Sequence, residues 1–148
     1  MATFRYFDDF AVGDHFFLGS YVLSKEEIIA YAREFDPQPF HLDEEAARAT
    51  MLGGLCASGW HGCAILMRLF YEGLLKSSAS MGSGGVDEVR WVKPIFPGTL
   101  TGDLTVTSAR RSRSRPEMGI LAGSFTLANE AGEALMRMNG TFLQEVRS

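Results

Sequence analysis

The stretch Ser58-Gly59-Trp60-His61-Gly62-Cys63-Ala64-Ile65-Leu66-Met67-Arg68-Leu69-Phe70-Tyr71-Glu72-Gly73-Leu74-Leu75 decides the fold. Its segment Trp60 to Leu75 is the longest apolar run in the chain, and Ser58-Gly59 is a helix-start signal. A helix of that extent is about 25 Å long at about 1.5 Å of rise per residue. Apolar side chains lie nearly all the way round it, the pattern of a helix buried on most sides. Arg68 and Glu72 interrupt the run, and it is too short to cross a bilayer. Small residues at its head (Gly59, Gly62, Cys63, Ala64) would admit a close neighbour, expected to be backbone.

Downstream of this helix the chain is strand-like. Val89 to Lys93, Leu100 to Ser108, Gly119 to Ala128 and Ala134 to Gln144 are rich in β-formers and separated by turns such as Pro97-Gly98 and Asn129-Glu130-Ala131-Gly132. Residues Lys76 to Gly85, heavy in Ser and Gly, read as a flexible loop, without the lysine pattern of a phosphate cradle. Upstream, an aromatic arm (Phe4, Tyr6, Phe7, Phe10) closes at Val12-Gly13-Asp14, and His15 to Leu23 reads as a first strand. Ser24 with Glu27 forms a capping-box pattern before a short amphipathic helix that ends by Pro37. Asp43 is an N-cap for a second short helix that Gly53-Gly54 should end. Short connections favour an antiparallel sheet. The expected fold is α+β: one domain over residues 1–148, its sheet wrapped around one long helix.

Composition narrows the function. With 46% hydrophobic and 22% charged residues the chain is of ordinary globular make-up, and its 148 residues suffice for a sizeable core. A net charge of −4 points neither to nucleic acid nor to an anionic membrane. Cys56 and Cys63 lack metal or redox spacing and read as two reduced, packed thiols. No secretory pattern is seen at the N-terminus, and a cytoplasmic location is expected.

The chemistry concentrates in Phe35-Asp36-Pro37-Gln38-Pro39-Phe40-His41, read with Ala57-Ser58-Gly59-Trp60-His61. Each proline pushes its predecessor out of the helical region, so Asp36 and Gln38 should be extended and the loop stiff. A carboxylate and an imidazole held together can orient a water, take its proton and deliver one elsewhere. Phe35 and Phe40 would raise the proton affinity of Asp36 by desolvation. At Ser58-Gly59-Trp60 the first helical amides lack intrahelical partners and can polarise a carbonyl. Against these stand plainer readings: a turn residue for Asp36, a satisfied loop histidine for His41, an ordinary N-cap for Ser58. His61 is the competing imidazole and reads as core or pocket lining. Asp36, His41, Asp43 and His61 lack a recognised ligand spacing, so no metal is expected. The run Arg110, Arg111, Arg113 and Arg115 reads as a solvated hairpin end, or alternatively as a landing place for a phosphorylated ligand.

The segment from Phe35 to Asp43 followed by Ala57 to His61 resembles the MaoC-like dehydratases, also called R-specific enoyl-CoA hydratases. The likeness extends to the aromatic arm with Val12-Gly13-Asp14 and to Val89-Arg90-Trp91-Val92-Lys93-Pro94 with Pro97-Gly98. Asp36, His41 and Gly59 stand at the positions of the family's motif, five and eighteen residues apart. Phe35 and Gln38 replace the usual Gly and Asn around the Asp, and Phe40 replaces an aliphatic residue. The resemblance implies a hot-dog fold, usually a homodimer, and reversible syn addition of water to a trans-2-enoyl-CoA to give an (R)-3-hydroxyacyl-CoA. It implies Asp36 and His41 as the water-activating pair and Gly59 as the carbonyl donor. Ser58, Trp60, Phe40 and Gln38 are expected at the substrate. No cofactor is expected beyond the CoA thioester itself. A hot-dog thioesterase and a non-catalytic acyl-CoA-binding subunit are the alternatives.

Overall fold

The computed structural model describes residues 3–148. Its elements run β1 (His15–Leu23), α1 (Lys25–Phe35), α2 (Glu44–Arg48), α3 (Gly59–Gly73), β2 (Ser80–Trp91), β3 (Gly98–Arg111), β4 (Met118–Ala128) and β5 (Ala134–Glu145). Short 3-10 turns stand at Phe7–Asp9, Pro39–His41 and Leu75–Ser77. The strands form one antiparallel sheet in the order β1-β3-β4-β5-β2, so β1 and β2 are its edges. The fold is the α+β hot-dog arrangement that the resemblance implied, with the sheet wrapped around α3.

Alternation along β3 and β4 explains where the core sits. Leu104, Val106, Leu121, Phe125 and Leu127 point to one face and are buried against Leu66, Leu69 and Phe70 of α3. Leu104 faces Phe125 across one ladder, and Phe125 faces Met138 across the next. Phe70 packs edge-on to both Phe125 and Phe142, at centroid distances of 4.8 and 5.3 Å. Such aromatic pairs add about 0.5–1.5 kcal/mol each beyond the area they bury.

Four local expectations change. Residues 76–85 are not a loop: after the turn at Leu75–Ser77 the chain enters β2 at Ser80. Pairing with β5 overrides the weak strand propensity of Ser and Gly, and the ladder absorbs them through register shifts, with Gly82 at φ 102° and Gly85 at φ 135°. The second short helix stops at Arg48, before Gly53-Gly54. At the start of α1 only half of the capping box forms. Ser24 accepts from the Glu27 amide at 3.1 Å, but the Glu27 carboxylate is drawn instead to the Tyr21 hydroxyl. Finally, α3 is not covered on most sides, since Trp60, Met67 and Tyr71 are 60, 51 and 49% exposed within the protomer. The arginine run behaves as a hairpin end: Arg110 and Arg111 finish β3, Arg113 and Arg115 lie in the turn, and all four are exposed.

Candidate active site

Helix α1 breaks at Asp36 because Pro37 cannot continue it; Asp36 leaves the helical region at φ −153°, ψ 70°, and Gln38 is extended at φ −74°, ψ 141°. The chain then closes a tight turn, with the His41 amide donating to the Gln38 carbonyl at 2.9 Å and the Asp43 amide to the Pro39 carbonyl at 3.0 Å. Asp43 is structural, as expected: its carboxylate accepts from the Glu45 amide and caps α2. This turn carries His41 into the interior, where its side chain is 7% exposed, while that of Asp36 is 20% exposed.

The two side chains meet. His41 Nε2 lies 3.4 Å from Asp36 Oδ2, and His41 Nδ1 lies 2.7 Å from the backbone carbonyl of Cys56. A carbonyl can only accept, so Nδ1 carries the hydrogen and Nε2 of a neutral imidazole faces Asp36 with its lone pair. In that form the two facing atoms are both acceptors and need a shared donor, whereas a protonated imidazole donates its Nε2–H to Asp36 directly. A water that gives one O–H to each would satisfy both and leave its own lone pairs free. Phe40 lies edge-on to the His41 ring, at 4.6 Å and 70°, and limits its rotation.

Burial acts to raise the proton affinity of Asp36, yet its pKa stays below the ordinary carboxylate value. The Ser58 hydroxyl, the Gln38 amide and the positive charge that a protonated His41 places beside it, in that order, outweigh the burial. The expectation of a raised value is thereby corrected: the polar neighbours decide, not the phenyl rings. Gln38 Nε2 donates to Asp36 Oδ1 at 2.7 Å, so Gln38 serves the carboxylate. Ser58 is fully buried, and its Oγ completes no hydrogen bond of good geometry although it sits close enough to Asp36 to lower its proton affinity.

Ser58 does not cap α3 with its side chain. The first turn of α3 closes only through the Gly62 amide on the Ser58 carbonyl, so the amides of Gly59, Trp60 and His61 keep no acceptor among the described residues. The strand-like approach to that helix is set by the Ala57 amide, which donates to the Ile95 carbonyl at 2.8 Å. A pocket of about 520 Å³ joins these parts, lined by Asp36, His41, Phe40, Gly59, Trp60 and Trp91 among others. All seven residues expected from the sequence, Ser58 and Gln38 included, line it.

Sequence reasoning misses Cys56, whose carbonyl sets the histidine tautomer, and Trp91, whose indole covers Gly59. A Cβ on Gly59 would lie 2.4 Å from Trp91 Cε2, so it is a side chain, not backbone, that requires glycine there. The resemblance already contained Trp91, but nothing in a linear pattern places it over a helix start.

His61 stands apart from the dyad. Its ring stacks on Tyr31 at 4.4 Å and 6°, its Nδ1 is buried without a partner, and burial holds its pKa below the usual histidine value. It borders a larger groove of about 1080 Å³ along the other flank of α3, with Tyr21, Tyr31 and Arg68; this groove contains neither Asp36 nor His41. Among the described residues no group of three His, Cys, Asp or Glu could hold a metal. No helix among them is long and apolar enough to cross a membrane.

Among known proteins, a family profile described as MaoC like domain matches residues 10–128. The chain is 29% identical over 123 residues to Uncharacterized protein YdeM of Bacillus subtilis (strain 168), covering 83% of this chain and 86% of that one. The crystal structure of a MaoC-like dehydratase from Rhodospirillum rubrum superposes with a TM-score of 0.88 at 39% identity, over 97% of this chain and 99% of that chain. An (R)-hydratase from A. caviae, described as involved in PHA biosynthesis, shares the fold at a TM-score of 0.72 and 19% identity, over 93% of this chain and 98% of that one.

Proposed function

Since the chain belongs to the MaoC-like dehydratase family, we propose that it hydrates a trans-2-enoyl-CoA reversibly to an (R)-3-hydroxyacyl-CoA. The observation that carries this reading is the pairing of Asp36 Oδ2 with His41 Nε2 at 3.4 Å, with His41 Nδ1 committed to the Cys56 carbonyl, in one pocket with the unpartnered Gly59 amide.

A water held by Asp36 and His41 attacks the β-carbon and gives up a proton to the pair. The electron pair of the C–C double bond moves onto the thioester oxygen, where the Gly59 amide at the positive end of α3 receives the charge. The enolate collapses, the α-carbon takes a proton from the pair on the same face, and water has been added across the double bond. Asp36, with its proton affinity held below the ordinary carboxylate value, stays ionised and orients the water, while the imidazole of His41 is the better base of the pair. In this reading Ser58 and Gln38 position Asp36, Phe40 positions His41, and Trp60 lines the substrate pocket.

The protein in this reading works as a homodimer. The support is surface chemistry: Trp60, Met67 and Tyr71 of α3 lie exposed, as do Met81, Val86 and Trp91 of β2, which is an open sheet edge. Open edges and contiguous apolar faces are what partner chains cover.

The test is crotonyl-CoA with the purified protein, following the enoyl thioester absorbance and free thiol together. Loss of the enoyl signal without thiol, with an R product on chiral analysis, is the expected result. Thiol release would overturn the reading in favour of a thioesterase.

A further inference from the structure

Trp91 is the last residue of β2, and its backbone is pinned: it pairs with Met136 of β5, and the next two amides, Val92 and Lys93, both donate to the Leu135 carbonyl, at 2.8 and 3.2 Å. From that anchor the side chain reaches across to the start of α3. The indole atoms nearest the place of a Gly59 side chain are Nε1 and the two ring-fusion carbons: a Cβ on Gly59 would lie 2.4 Å from Cε2, 2.5 Å from Nε1 and 2.8 Å from Cδ2. The one polar atom of the ring therefore lies over the Cβ side of Gly59, the residue whose amide is unpartnered. Trp60 packs against the same indole at 5.3 Å and 72°, which fixes its tilt. Trp91 is 44% exposed and lines the pocket that holds Asp36 and His41. Its Nε1–H donates to no acceptor among the described residues.

An indole nitrogen is a donor only and has no use for a cation or for another donor. Beside the Gly59 amide it fits one kind of ligand atom, an oxygen that accepts from two directions and gains charge. We propose that Trp91 is a further catalytic residue, donating its indole N–H to the thioester oxygen alongside the Gly59 amide. Oxyanion sites commonly use two donors, and fixed donors act most where charge develops. The indole also excludes water from one side of the amide, which strengthens both hydrogen bonds. This rests on the hydration reading above.

Trp91→Phe keeps an aromatic ring at that position and removes the N–H together with part of the fused ring. With crotonyl-CoA, kcat should fall by about a hundredfold, the low end for loss of one oxyanion donor. KM should change little, because the interaction strengthens only in the transition state. An unchanged kcat, or a rise in KM alone, overturns the proposal. No hydration by the wild-type protein overturns the underlying reading instead, so the two failures are distinguishable. An independent measurement leaves Trp91 intact: the chain has two tryptophans, hence two indole N–H resonances, which Trp60→Phe assigns. In an Asp36→Asn background, crotonyl-CoA should move the Trp91 indole proton downfield; its staying in place on saturation overturns the proposal even if Trp91→Phe does not fold.

Discussion

Asp36→Asn separates the chemistry of the site from its architecture. Asparagine has the shape of aspartate, so its carbonyl oxygen keeps the place of Oδ1, which accepts from Gln38 at 2.7 Å. The Asp36 amide still donates to the Ala32 carbonyl, so the break of α1 is untouched. What changes is the other oxygen, now an NH2 donor 3.4 Å from His41 Nε2. It removes one proton acceptor and engages the lone pair of the second. Both halves of the water-activating pair fail together, and hydration should fall by at least about a hundredfold, the scale of an acid–base contribution. That corresponds to about 2.7 kcal/mol on the barrier. The assay is the initial rate of crotonyl-CoA loss, with circular dichroism to show the fold intact. His41→Ala should produce a similar loss, and the double variant should be little worse than either single one, since paired groups act as a unit. Near-normal turnover in both single variants, or strictly multiplied losses in the double, would refute the dyad.

Gly59→Ala should lower both activity and stability, the latter by about 1–3 kcal/mol, because the new Cβ overlaps the Trp91 ring; a urea titration with wild-type stability contradicts the contact. Leu104→Ala removes a fully buried side chain under α3 and should destabilise by about 2–5 kcal/mol, read as a drop in denaturant midpoint at constant slope. The Asp36 carboxyl has its folded-state pKa below the unfolded value of about 3.9, so its stabilising contribution is full above that value and is lost as pH falls through the folded pKa. The gap in melting temperature between wild type and Asp36→Asn should therefore close on acidification below about pH 4; a constant gap argues against the shift. Met67→Glu, placed on the exposed apolar side of α3, should shift the protein towards monomer in sedimentation if a second copy covers that face.

Much of the fold is legible in linear order because its signals are local. The break of α1 at Pro37, the cap at Asp43 and the alternation along β3 and β4 depend on neighbours a few residues away, and each is found where the pattern places it. Where long-range pairing opposes local preference, the linear pattern misleads: Ser80 to Gly85 is poor strand sequence, yet β5 offers a ladder and the segment takes it. The Glu27 carboxylate leaves its capping role for a nearer competitor, the hydroxyl of Tyr21 six residues upstream in β1.

For the candidate site the division is sharper. The spacing from Asp36 to His41 and on to Gly59, with prolines around the first two, brings these residues forward as candidates once the family resemblance is added, and the structure gathers them in one pocket. A short stiff loop and a helix start are local objects. Only the tertiary structure decided how those groups are tuned. It set the Cys56 carbonyl on His41 Nδ1, and so the tautomer; it turned Ser58 and Gln38 on Asp36, and so lowered a pKa that apolar neighbours were expected to raise. It also carried Trp91 onto Gly59 from the far edge of the sheet. Proton affinity and donor geometry are sums over whatever surrounds a group in space, and that neighbourhood exists only once the sheet has closed around the helix.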